Sequence, residues 1–72
     1  MKKETFFEGL KDIFEIDNDL EESTHLHLTS LSTLALIAYL DKNFKTRIKV
    51  AQISNINTVS DLMKLIGEDN FE

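Results

Sequence analysis

Thr29-Ser30-Leu31-Ser32-Thr33-Leu34-Ala35-Leu36-Ile37-Ala38-Tyr39-Leu40 decides the fold of this chain. It holds no Asp, Glu, Lys or Arg, and its apolar residues recur at helical spacing. Leu36, Ile37, Leu40 and Phe44, with Thr33, share one face. Leu31, Leu34 and Ala38 share another. Leu34 and Leu36 are separated by about 200° at 3.6 residues per turn, so one neighbour cannot cover both. Either the helix is packed on two sides, or one stripe is a surface for a partner, as exposed apolar patches often are. The predicted helix runs from about Ser30 to Phe44.

Working outward, Phe6, Leu10, Ile13 and Phe14 mark a first helix, with Thr5 and Glu8 predicted as a capping box. Gly9 inside it costs about 1 kcal/mol against alanine, so packing must hold this helix together. Residues 17–28 have no clean period and read as a polar linker, with Leu20, Leu26 and Leu28 available to tack it to the core. Residues 45–57 read as a loop with a helical turn near Val50–Ile53. Ile48, Val50, Ile53 and Ile56 are predicted to close the core. Thr58 with Asp61 looks like the start of a last helix, whose apolar face is Val59, Leu62, Met63 and Ile66. Gly67 fits its end, and 68–72 reads as a frayed tail. The expected fold is all-α: a small bundle of three main helices plus a short helical turn, in a single domain spanning 1–72.

Seventy-two residues with no cysteine bound the function. A chain of this size buries about 60% of its unfolded surface, and such a core rarely supplies more than ~3–5 kcal/mol without staples. There is little room for a deep substrate pocket, which argues against a self-contained enzyme. The net charge of −5 argues against nucleic acid, which needs excess Lys and Arg to displace counterions. Eight acids fall within 1–28, whereas 45–49 holds Lys45, Arg47 and Lys49 with no acid. A membrane span needs ~20 predominantly apolar residues. Eight of the eighteen in 23–40 are Ser, Thr or His, so no span is expected. Met1-Lys2-Lys3-Glu4 leads into an amphipathic segment and not into an apolar signal core.

Ser30 stands at the predicted start of the central helix. As a nucleophile it would need a base and an oxyanion site, and Leu28-Thr29-Ser30-Leu31-Ser32 has no glycine for a strained elbow. His25 and His27 have no obvious third partner for a metal and read as solvated loop residues. No catalytic residue and no metal ligand is assigned. As an acceptor for another enzyme, Ser30 needs only exposure and a welcome for the incoming group. Open backbone N–H groups at a helix start favour a phosphate by ~0.3–1 kcal/mol. The competing expectation is that Ser30 merely caps the helix. Ser32 is the fallback acceptor.

Thr29-Ser30-Leu31-Ser32-Thr33-Leu34 through Phe44, then Ile48, then Ile56-Asn57-Thr58-Val59 and the helix over 62–66, resembles the acyl carrier proteins. Their pattern is Asp-Ser-Leu opening a helix that ends near an aromatic, a loop with a short third helix, and Thr-Val opening the last helix. The resemblance implies a 4′-phosphopantetheine arm on Ser30, donated by coenzyme A through a phosphopantetheinyl transferase. That arm would carry an acyl group as a thioester between acyl-loading and acyl-using enzymes, and its thiol would explain why the chain needs no cysteine. Thr29, Leu31, Leu34, Ala38 and Asp41 become the expected docking surface. The resemblance further implies a cytoplasmic monomer serving fatty acid, polyketide or other lipid metabolism.

The departures point to a specialised carrier. Thr29 replaces the family's aspartate, Ser32 and Ala35 stand at positions often acidic, and Lys42 adds a cation. Three lost surface ion pairs at ~0.2–1 kcal/mol each amount to about 1–3 kcal/mol, a factor of roughly 5–150 in affinity. Alternatives are a peptidyl or aminoacyl carrier, and an unmodified helical interaction module using the Leu31/Leu34/Ala38 stripe.

Overall fold

The computed structural model describes residues 1–71. Four α-helices follow one another: α1 (Lys3–Phe14), α2 (Ser30–Phe44), α3 (Val50–Ile53) and α4 (Val59–Ile66), with a 3-10 turn at Glu68–Asn70. The fold is all-α, as the periodicity predicts. Its one extended feature among the described residues is an isolated antiparallel bridge between His25 and Thr58. No helix among them is long and apolar enough to cross a membrane.

Phe6 and Leu10 of α1, Leu36 and Leu40 of α2, Ile53 of α3, and Val59 and Leu62 of α4 are fully buried. Removing each such side chain from water contributes about 1.5–3 kcal/mol. Leu20 and Leu26 are buried too, and Leu28 packs against the core, so the linker is tacked down where expected.

α1 departs from its predicted start. The helix begins at Lys3, Lys2 is its N-cap without a side-chain bond, and Phe6 N donates to Lys2 O at 3.1 Å. Thr5 therefore lies inside the first turn, and the Thr5–Glu8 capping box does not form. A start at Lys3 instead brings Met1 close enough for its thioether to accept from the Tyr39 hydroxyl at 3.8 Å. Gly9 has a tertiary explanation. A Cβ there would lie 2.7 Å from Tyr39 Cε1, and closer still to Cζ and the hydroxyl. The missing side chain lets the ring of α2 lie on the backbone of α1.

Two further expectations are corrected. Val50 does not close the core; it is 54% exposed although its i, i+3 spacing puts it on the same side of the turn as buried Ile53, so shared spacing does not settle which of the two the core covers. The tail is not frayed over 68–71. Phe71 packs on Phe6 with ring centroids 4.9 Å apart and on Phe44 at 5.5 Å, and Asn70 Nδ2 donates to Ile66 O. Gly67, at φ 109°, lets the chain reverse after α4 and return this aromatic ring to the core. Residue 72 lies outside the described part.

Candidate functional site: the start of the second helix

Thr29 is the residue that caps α2. Its backbone is extended (φ −117°, ψ 174°), and its hydroxyl accepts from Ser32 N at 3.1 Å. Ser32 answers: its Oγ accepts from Thr29 N at 2.8 Å and lies 3.1 Å from Thr29 Oγ1. This reciprocal pair is a capping box built from two hydroxyls. It buries Ser32 to 9% exposure, so the fallback acceptor is closed in and fully bonded.

Ser30, the first helical residue, is exposed, and its hydroxyl makes no hydrogen bond among the described residues. The expectation that Ser30 caps the helix is therefore overturned, because Thr29 occupies that place. Thr33 N, the fourth amide of the helix, bonds Thr29 O at 2.9 Å. With Ser32 N held by the cap, two first-turn donors remain without a partner among the described residues: Ser30 N and Leu31 N. No acid lies in this first turn. A phosphate on Ser30 would meet open N–H groups and the positive end of a fifteen-residue helix dipole, with no carboxylate of that turn to repel it.

Of the two stripes on α2, one is core and one is not. Leu36 and Leu40 are fully buried, and Ile37 and Phe44 pack against the core. Leu31 is 81% and Leu34 63% exposed. Ala38 and Asp41 continue the exposed face, as does Thr29 at its head. All five expected docking residues thus lie at the surface, from Thr29 next to Ser30 to Asp41 about three turns further along the helix. α3 packs against α2 and adds exposed Val50 to the molecule's exposed large apolar side chains. A shallow depression lies between Leu34, Ala38 and Asp41 of α2 and Thr46 and Arg47 of the following loop.

Leu36, Ile48 and Ile56, which could line a cavity for a carried chain, are buried core residues, and Phe44 belongs to the aromatic cluster around Phe6. His25 and His27 are exposed, and the described residues contain no grouping of acids, histidines or cysteines suited to a metal ion.

Two site features were missed in the sequence. The role of Ser32 has a signal: Thr29-x-x-Ser32 repeats the spacing of the Thr58-x-x-Asp61 cap. Val50 had none, since its spacing to Ile53 is that of core residues. No protein-family model, no curated protein and no solved structure matches this chain.

Proposed function

We propose that this chain is a carrier protein that bears 4′-phosphopantetheine on Ser30 and presents acyl groups to partner enzymes. The observation that carries this reading is the division of labour among three adjacent hydroxyls. Thr29 caps, Ser32 is buried in the cap, and Ser30 is exposed and unbonded beside the free Ser30 and Leu31 amides. A serine held this way is a poor nucleophile on its own account but open to a modifying enzyme. The amides and the dipole would hold the phosphate of the arm, and Thr29 would fix the backbone from which it projects. Once attached, the arm supplies the thiol that the chain lacks, on which an acyl group is held as a thioester. Leu31, Leu34 and Ala38 give enzymes an apolar grip next to the attachment point, with Thr29 and Asp41 at its ends. With Thr29 neutral and no acid in the first turn, the carrier serves a specialised pathway of acyl, polyketide or peptide assembly in the cytoplasm.

The test is intact mass after incubation of the chain with coenzyme A and a panel of phosphopantetheinyl transferases. The expected result is one phosphopantetheine added to the wild type and none to Ser30→Ala. No gain with any transferase, or a gain that survives Ser30→Ala, would overturn the proposal.

The exposure of Leu31 and Leu34 also favours a second reading, an unmodified helical interaction module. Under it, partner binding is indifferent to Ser30→Ala and lost with Leu34→Asp.

A further inference from the structure

The charges of this chain are sorted along the sequence. Residues 41–55 carry Lys42, Lys45, Arg47 and Lys49 against one acid, Asp41. Residues 23–40 carry none, and 1–22 carry eight acids against three lysines. The exposed apolar stripe of α2 therefore runs into a segment with four cations and a single carboxylate, Asp41. Arg47 lines the depression beside Leu34 and Ala38, and Lys49 immediately precedes the exposed Val50 at the start of α3. Asp41 lines the same depression, yet among the described residues no ion pair joins it to Arg47, so the guanidinium keeps its donors open to a partner.

We infer that this face docks on enzymes that offer an apolar recess rimmed by carboxylates, with Leu31, Leu34 and Val50 entering the recess and Arg47 and Lys49 meeting the acids. The inference rests on the carrier reading of Ser30 and names the partner chemistry of that site.

Other occupants fit worse. A second copy joined face to face would bring eight cations together with only the two Asp41 carboxylates to offset them. Joined face to back, it would set the stripe against the acidic α1 and linker, where no large apolar side chain is exposed. That satisfies the charges and leaves Leu31 and Leu34 without a recess. An anionic membrane would attract the lysines, but interfacial faces carry large apolar anchors such as Trp, Phe and Leu over a broad strip. Here, among the described residues, the large apolar exposure is three aliphatic side chains. All five phenylalanines are buried or packed on the core, and the net charge of −5 opposes approach.

The experiment uses any transferase that modifies the wild-type chain and measures its KM and kcat for the carrier. Arg47→Glu/Lys49→Glu and, separately, Leu34→Asp are expected to raise KM about tenfold with kcat little changed. Lys64→Glu on α4 is the control and leaves KM as it was. Added salt raises KM for the wild type and not for the double variant, since these pairs are exposed to screening. All four substitutions are at exposed positions, and circular dichroism verifies the fold. An unchanged or lowered KM for Arg47→Glu/Lys49→Glu overturns the inference while leaving Ser30 modified. Absence of modification by every transferase instead overturns the carrier reading, and the partner assignment with it. Concentration-dependent self-association at low salt, or cosedimentation with phosphatidylglycerol-containing vesicles, lost in the double variant, would reassign the face to a second copy or to a membrane.

Discussion

α2 and α4 begin alike and end up unlike. Each opens on a threonine cap answered three residues later, Thr29 by Ser32 and Thr58 by Asp61. At α4 every early donor is then taken. Val59 N bonds Thr24 O at 3.0 Å, Ser60 N bonds Glu22 O at 2.8 Å, and Asp61 N bonds Thr58 Oγ1 at 3.2 Å. The carbonyls come from the linker, which lies against this helix start and also places Leu26 N on Asn57 O at 2.9 Å. At α2 the linker has already ended, and Ser30 N and Leu31 N stay open. Two sequences with the same local signal thus give one closed terminus and one available to a ligand. The difference lies in where 22–26 happens to pack, which no cap motif encodes.

The largest effect expected from this contrast is at Ser30. Ser30→Ala abolishes modification by coenzyme A and a transferase, whereas Ser60→Ala, in the closed turn of α4, leaves it intact; mass spectrometry distinguishes them. Ser32→Ala should also remain a substrate, since its hydroxyl serves only the cap. A gain lost in Ser32→Ala while Ser30→Ala is still modified would break the comparison at its root.

Next in size is the packing that orients α2 against α1. Gly9→Ala should gain helix propensity yet destabilise, because the new Cβ meets the Tyr39 ring. Overpacking of this kind costs about 1–3 kcal/mol in urea denaturation. The double change Gly9→Ala/Tyr39→Leu, which removes the ring, is expected to recover part of it. If Gly9→Ala alone stabilises the chain, the close approach of α1 and α2 is wrong.

The caps come third. Thr29→Ala and Thr58→Ala should each cost ~1 kcal/mol, or about 4–8 °C in Tm for a domain of this size. Thr58→Ala is expected to cost more, since Asp61 then loses the hydroxyl that completes its turn. Thr29→Asp keeps a capping oxygen and adds a charge at the open terminus, so its stability should match or slightly exceed the wild type.

The smallest effect is on pH. Backbone N–H groups of Asn57 and then Thr58 donate to the Asp61 carboxylate and hold its pKa below the ordinary carboxylate value. A group lowered by folding contributes its stability in full above its unfolded pKa, near 3.9, and loses it as pH falls through the lower folded value. The α2 cap has no titrating member. Amide exchange in acid should therefore open the start of α4 before the start of α2, and Asp61→Asn should remove that difference. Equal sensitivity of the two termini would show that the caps are not what separates them.

Much of this was legible in the sequence because helix faces obey a fixed period. Val59, Leu62, Met63 and Ile66 are all buried as their spacing requires. The stripe Leu31/Leu34/Ala38 was legible as a second face, but not as an exposed one. Spacing reports that two residues share a side of a helix, not whether another element arrives to cover it. Val50 and Phe71 failed in opposite directions for the same reason. One looked like core and is exposed; the other looked like tail and is packed between Phe6 and Phe44.

The sequence by itself determined the helix faces, the Thr58 cap and the sorting of charge, because these depend on residues within a few positions of one another. Only the tertiary structure decided that Ser32 is enclosed, that Tyr39 lies over Gly9, and that the linker closes α4 and leaves the amides beside Ser30 open. Those outcomes depend on contacts between residues far apart in the chain. Their choice among neighbours is made by the packing of the whole core and not by any local pattern.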